Sequence, residues 1–279
     1  MEIKRSIIGK LKFFCVNFNT ENEILRLISS IKIPSSDVLS FYIIDNSNTF
    51  NSHIIKDKDI SNIDVNILTP LKNLGYFGAL RYAIEVKSCV FDDDFIVVVN
   101  PDLTLSTDFF EKISIIDIPD DVGVIAPRVI NYPSGELANP FMRRRPSKLS
   151  IWIRRLIHKH AYIFCLYERL SILKQYLYGL NTTSEASLED EYIYAPHGSM
   201  IIFCPKYLSS GGNFKHEGFL FAEELYVAEI CFQKNLRILN CNSLKVSHYQ
   251  HASIKKLNVV NFSRYAFDSL DFIYKRFFR

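Results

Sequence analysis

The sequence predicts an α/β fold, a mostly parallel sheet flanked by helices, and three observations carry the prediction. Apolar runs of strand length alternate with segments of helical periodicity. The strands are apolar throughout rather than alternating, as in sheets covered on both faces, and Phe95-Ile96-Val97-Val98-Val99 is the clearest case. Polar residues follow three strands directly (Asn19, Asp45-Asn46 and Asn100-Pro101-Asp102), and strand ends are where open α/β sheets bind ligands.

Taken in order, residues 12–18 read as a first strand, and Thr20-Glu21-Asn22-Glu23 has the form of a helix capping box. Ile24, Leu27, Ile28 and Ile31 recur at helical spacing behind it, and Pro34 closes that helix. A second strand covers 39–44 and a third lies near Val65–Leu68. Asn73-Leu74-Gly75-Tyr76-Phe77-Gly78 then leads into a helix over about Ala79–Ser88. In the second half, residues 141–180 form a basic, aromatic, helical stretch. Strands are predicted at 192–195, 200–204 and about 237–247, and a helix at about Glu224–Lys234. No internal repeat or low-complexity linker divides the chain, which reads as one domain with an inserted helical segment.

Composition excludes several classes. Of the 279 residues 48% are hydrophobic, with 22 Phe and 15 Tyr, so disorder is excluded. The formal charge of +3 is too small to argue for nucleic acid as a global partner. Six cysteines are scattered without a C-x-x-C pair, which argues against structural zinc and for free thiols in a reducing cytosol. Lys10, Lys12 and Asn17 interrupt the apolar residues of the N-terminus, against a signal peptide. No apolar run reaches the ~18 residues of a spanning helix. The expectation is a cytoplasmic protein, soluble or peripheral at the inner face of the membrane.

The first strand–helix turn contains no glycine, so both the dinucleotide fingerprint and the P-loop are absent. Asp102, fixed at a strand end, is a residue type that binds Mg²⁺ or Mn²⁺ together with phosphate oxygens. Glu223-Glu224 opens a helix behind an aromatic-apolar run, where the pair serves either as ordinary N-terminal charges or as a general base. His248 ends a strand and could complete a metal shell. Residues 141–160 carry seven Lys/Arg and no acid, with Trp152, Ile153, Leu156 and Ile157 among them. That pattern fits an interfacial helix on an anionic membrane as well as a solvated helix packed on the domain.

Together these segments resemble the inverting family 2 glycosyltransferases of the GT-A fold, in particular bacterial rhamnosyltransferase-like members that build surface polysaccharides such as O-antigen or capsule. The resemblance rests on Cys15–Asn19, Ile43-Ile44-Asp45-Asn46-Ser47, Asn73-Leu74-Gly75 with Gly78, and Val99-Asn100-Pro101-Asp102. It continues through Val122–Pro127 with Ser134-Gly135, His197–Met200, Gly211–Phe214, Glu223-Glu224 and Val246-Ser247-His248. It implies a nucleotide-diphosphate sugar donor contacted by Asn19, Asp45, Asn73, Gly75, Asn100 and Asp102. It also implies a divalent metal held by Asp102 and His248, a base at Glu224 and an acceptor contact at Glu223. Residues 1–140 would be the donor-binding half, 141–190 a helical insertion, 191–253 the acceptor and catalytic half, and 254–279 a C-terminal tail. The acceptor would be a glycan, carried on a membrane lipid in such systems.

Two departures stand out. Asn213-Phe214-Lys215 replaces the usual Gly-Gly-Phe-Asp ending, and Tyr226 stands where the family has an acid, which puts the acceptor contacts in question. Three alternatives follow. A sugar nucleotidyltransferase lacks its Gly-rich loop here, a non-catalytic relative would act as partner or scaffold, and a nucleic-acid module would rest on residues 141–160 alone.

Overall fold

The computed structural model describes residues 7–51, 62–87, 93–178, 189–249 and 258–279. Ser88, residues 179–188 of the insertion and residues 254–257 of the tail lie outside these. In chain order the elements are β1 (Leu11–Asn17), α1 (Glu21–Ser30), β2 (Leu39–Asp45), β3 (Ile63–Leu68), α2 (Tyr76–Lys87), β4 (Phe95–Val99), β5 (Leu103–Leu105) and α3 (Phe109–Ile115). They continue with β6 (Val122–Asn131), α4 (Lys148–Lys159), α5 (Ala161–Tyr178), β7 (Glu191–Ile193), β8 (Met200–Phe203) and α6 (Pro205–Ser209). The chain finishes with α7 (Glu223–Gln233), β9 (Arg237–His248), α8 (Val259–Ile273) and a π-turn at Tyr274–Phe278.

The strands make one mixed sheet in the order β3-β2-β1-β4-β8-β6-β9-β5, with β7 also paired to β9. Parallel ladders form its body: β3, β2, β1 and β4 are parallel throughout, and so are β6 and β9. The short strands β5, β7 and β8 are antiparallel to their neighbours. The predicted α/β class with its covered sheet is therefore the observed one, and β8 is the antiparallel link between its two parallel parts.

Alternate residues of each central strand enter opposite layers. Phe13 and Cys15 of β1, Phe41 and Ile43 of β2, and Val97 and Val99 of β4 pack with α1 and α3 on one face. Phe14, Tyr42, Ile44, Ile96 and Val98 pack with α2 and α7 on the other. Because both faces are covered, the central strands are apolar through most of their length, most completely β4, and no period-2 pattern marks that strand.

The first helix departs from expectation at its start. Thr20 does not cap α1 with its side chain. Its hydroxyl and its N–H both donate to Oδ1 of Asn17, at 2.9 and 3.0 Å. The acids Glu21 and Glu23 in the first turn suit the helix dipole without a box.

Helices occupy Lys148–Lys159 and Ala161–Tyr178 of the stretch read as helical. Ser147 caps α4 by accepting from the Ser150 N–H at 3.2 Å. Arg155 ties α4 to Asp271 of α8 at 2.9 Å, and Ser263 of α8 donates to the His158 carbonyl at 2.7 Å. Arg145, just before α4, donates two 2.8 Å bonds to the buried carboxylate of Glu229 on α7.

Candidate active site

Three strands bring three polar residues to one rim of the sheet. In the antiparallel β5–β9 register Leu103 faces His248, and in the parallel β6–β9 register Asn131 faces the same histidine. Asp102, one residue before β5, accepts the Tyr249 N–H on its carbonyl at 2.9 Å. Its side chain is fully buried, with Oδ1 3.3 Å from Nε2 of His248. The pair is close but not aligned as a hydrogen bond, and neither carboxylate oxygen has a donor. On the other side of the ring, Nδ1 of His248 lies 3.1 Å from Oδ1 of Asn131. Because an amide oxygen only accepts, Nδ1 is the donor to Asn131, and Nε2 is the ring nitrogen that faces Asp102.

A buried carboxylate without a hydrogen-bond donor and an imidazole nitrogen that faces it are two ligand types a divalent cation takes. The residues present therefore fit a metal. No cluster of three or more His, Cys, Asp or Glu exists among the described residues, so water and ligand oxygens would complete its shell.

A second polar network lines the rim between β1 and β2. Asp45 accepts from the Ser47 hydroxyl at 2.6 Å, from Nδ2 of Asn17 at 2.9 Å and from the Phe50 N–H at 2.9 Å. Burial opposes ionisation of Asp45, but these donors outweigh it and hold the carboxyl below the usual carboxylate range. Asn19 sits on the exposed turn beside it with φ +55°, its N–H on the Ser47 hydroxyl and its Oδ1 taking a bond from Thr49. Asn73 accepts the Gly75 N–H at 2.9 Å, and Asn46 donates to the Gly75 carbonyl at 3.0 Å. Asn100 is held through its backbone, its N–H donating to the Ser199 carbonyl at 2.8 Å.

Gly75 joins this rim to the acids. It has φ +72°, and a Cβ there would fall 2.0 Å from the Phe219 carbonyl oxygen. That oxygen accepts the next N–H, from Tyr76, at 3.2 Å. Only glycine permits both the backbone angle and the approach. The chain then reaches α7 through two consecutive left-handed residues, Phe221 (φ 74°) and Ala222 (φ 61°). Such conformations cost about 1–2 kcal/mol each outside glycine and persist where the surroundings impose them. Here the Leu220 carbonyl accepts from Ser269 at 2.6 Å, and the Phe221 carbonyl accepts from His216 Nε2 at 3.0 Å. Burial holds the pKa of His216 down to about 4, so the ring is neutral and Nε2 carries its proton.

Glu223 is buried and its Oε1 has no partner. Its pKa is raised by burial and then by the charge of Glu224. Glu224 is raised by burial too, although its own N–H and that of Gly198 work in the opposite direction. Its Oε1 lies where a Gly198 Cβ would be only 2.5 Å away. Tyr76 connects both groups of acids. Its hydroxyl donates to the Gly198 carbonyl at 3.1 Å, and its pKa is pushed well up by burial and by the charges of Cys15, Glu223, Glu224 and Asp102. The neighbouring His197 ring, 5.8 Å from that of His248, is held near pKa 4 by burial and by His248.

The structure thus brings Asp102 to His248, and Asn73 to Gly75. Asn17, Tyr76 and Gly198 belong to the same rim; they lie inside motifs of the sequence without an assigned role, and Asn131 lies in none. Tyr226 is not at the rim. It is fully buried among Phe77, His216 and Phe272, and its hydroxyl donates to Oδ1 of Asn213. The two departures from the pattern the sequence resembles are therefore bonded to one another. A cleft of about 470 Å³ opens between the 217–219 loop and α8, lined by Glu217, Phe219, Arg264, Tyr265, Asp268 and Phe272.

No protein-family model matches the chain. A low-salt glycan biosynthesis hexosyltransferase of Haloferax volcanii, Agl10, is 24% identical over 130 residues, which are 47% of this chain and 40% of the relative. Among solved structures, GalNAc-T7 with UDP, GalNAc and Mn²⁺ shares the fold with a TM-score of 0.56 at 12% identity, over 88% of this chain and 45% of that one. Residues 1–349 of S. aureus TarS in complex with UDP-GlcNAc give 0.53 at 11% identity, over 89% and 61%. The chain spans less than two thirds of the length of each of these proteins. The fold is that of the GT-A glycosyltransferases. Within that class, the sequence similarity is to a hexosyltransferase.

Proposed function

We propose that the chain is an inverting glycosyltransferase that moves a sugar from a nucleotide-diphosphate donor to a glycan acceptor. The observation that carries this reading is the buried, donor-free carboxylate of Asp102 facing Nε2 of His248 at the sheet rim. Asp102 and His248 would hold a Mg²⁺ or Mn²⁺ ion, which when bound offsets the charge building on the departing diphosphate. Asn17 and Ser47 hold Asp45 ionised for a ribose or base contact, Asn19 borders it, and Asn73, Gly75 and Asn100 shape the backbone around the nucleotide. Glu224, seated over Gly198, takes the proton of the acceptor hydroxyl as the anomeric bond forms. Its raised pKa brings its basicity toward neutral pH. Glu223 orients the acceptor beside it. The cleft beside Phe219 and Tyr265, whose rings are 4.9 Å apart, offers aromatic faces with Arg264, Asp268 and Glu217 for sugar hydroxyls.

The resemblance to polysaccharide-building transferases, and a relative named for glycan biosynthesis, support a growing surface glycan as acceptor and a hexosyl or rhamnosyl donor. Thermal-shift screening of nucleotide-diphosphate sugars with and without Mn²⁺ tests the reading, since ligand binding stabilises the native state. Metal-dependent stabilisation with slow release of nucleoside diphosphate is expected. Binding without any turnover would favour the alternative of a non-catalytic partner or scaffold, and no binding of any donor would overturn the proposal.

A further inference from the structure

The helical insertion has a use that sugar transfer does not explain. On α4 the exposed apolar residues Leu149, Trp152 and Ile153 stand three and four positions apart, and so share one helix face. On α5 the exposed residues Ile163, Leu166, Tyr167 and Leu170 repeat the pattern. Val259 and Val260 are exposed at the start of α8, the helix that packs against both. Exposed apolar residues repeated on packed helices point to an interaction site.

The charges identify the partner. No acid occurs from residue 141 through residue 167. Arg144, Lys148, Arg154 and Lys159 are exposed and form no ion pair with the described residues. A second copy of the chain would set this basic face against itself. A nucleic acid would leave the apolar stripes uncovered. No helix among the described residues is long and apolar enough to cross a membrane. An apolar stripe fringed by exposed cations is what lies in the plane of an anionic bilayer surface.

We propose that α4, α5 and the start of α8 form a docking face for anionic lipid. The face is rigidly attached to the rest of the fold. Arg145 grips Glu229 on α7, the helix that begins with Glu223 and Glu224, and Arg155 grips Asp271 on α8. Docking would therefore set the height of the acid pair above the surface.

The test is flotation of the full, unliganded chain with phosphatidylcholine vesicles, with and without phosphatidylglycerol, at low and high salt. Co-migration is expected only with the anionic vesicles, weakening as salt rises. Arg144→Ala and Lys148→Ala should each lower partitioning about fivefold. Leu149→Ser combined with Leu166→Ser should abolish it while thermal stability stays near the parent value, because both side chains are more than half exposed. Failure to float with anionic vesicles would overturn the proposal. So would equal binding to neutral vesicles, or a dimer that Leu166→Ser dissociates in sedimentation without any vesicle binding. The readout involves no donor sugar, so the outcome is separate from whether the chain transfers one.

Discussion

Asn131 Oδ1 lies 3.1 Å from His248 Nδ1, and this one contact decides which ring nitrogen faces Asp102. With Asn131 replaced by Ala, the ring can protonate on either nitrogen and turn. Loss of a partner that orients a metal-binding histidine typically costs 10–100-fold in metal affinity. Asn131→Ala should therefore weaken Mn²⁺ binding by that order in calorimetry with the donor present, with fold and melting temperature little changed. Affinity equal to the parent would show that Asn131 does not set the tautomer.

Asp102→Asn should raise the stability of the metal-free protein while removing metal-dependent donor binding. The parent buries a carboxylate with no donor, and such a group costs roughly 1–3 kcal/mol. At about 2–4 °C per kcal/mol for a domain of this size class, scanning calorimetry should register a clear rise in melting temperature. His248→Ala removes a neutral ligand rather than a charge, so its loss of metal dependence should be smaller. A lower melting temperature for Asp102→Asn would mean that the carboxylate has a partner in solution.

The acid pair predicts both a rate and a pH effect. Glu224→Gln should lower turnover by about 10²–10⁴-fold with donor affinity nearly unchanged, whereas Glu223→Gln should act mainly on the acceptor KM. Near-parent turnover for Glu224→Gln, with Glu223→Gln inactive, would exchange the roles. In the unfolded chain Glu223 ionises near 4.5, and in the fold burial and the charge of Glu224 move its pKa upward. Above 4.5, through the window up to the raised value, the folded chain keeps a proton the unfolded chain has released. Rising pH there favours unfolding. The melting temperature of the parent should thus fall more steeply across this window than that of Glu223→Gln.

Gly75→Ala should damage both stability and donor binding. The new Cβ would meet the Phe219 carbonyl oxygen at 2.0 Å in a backbone region that disfavours side chains. A loss of more than about 1–2 kcal/mol is expected from the conformation alone, read as a lower denaturation midpoint. Gly135→Ala, at φ +75° with nothing within 4 Å of its Cβ, supplies the control. The excess of the first variant over the second isolates the clash with the 219 loop.

Much of the fold was legible because buried strands must be apolar and stop abruptly. Val99 to Asn100 and Ile44 to Asp45 are sharp breaks in composition, and each proved to be a strand end at the rim. What the one-dimensional pattern lacks is register. Asn131 meets His248, and Asn17 meets Asp45, only because parallel ladders pair them across 117 and 28 residues of chain. The mostly parallel sheet was legible, but not which strands run against it: residues such as Leu103–Leu105 carry too little pattern to show their direction. Thr20 was misread since a threonine ahead of Glu23 fits a cap, yet a nearer acceptor, Asn17, took its hydroxyl. Tyr226 shows the limit of aligning positions by motif. A tyrosine in an acid's place is accommodated by turning inward, and Asn213 receives its hydroxyl.

The left-handed pair Phe221-Ala222 has a consequence for how this chain can be improved. Glycine at either position would relieve strain in the folded state but enlarge the unfolded ensemble, two effects that oppose each other in stability. They do not oppose each other in the placement of Glu223. A glycine hinge would let the first turn of α7 sample several orientations, and the carboxyl would spread over them. The non-glycine residues keep that turn to a single entry angle, so the chain trades some folding free energy for one position of its acid pair.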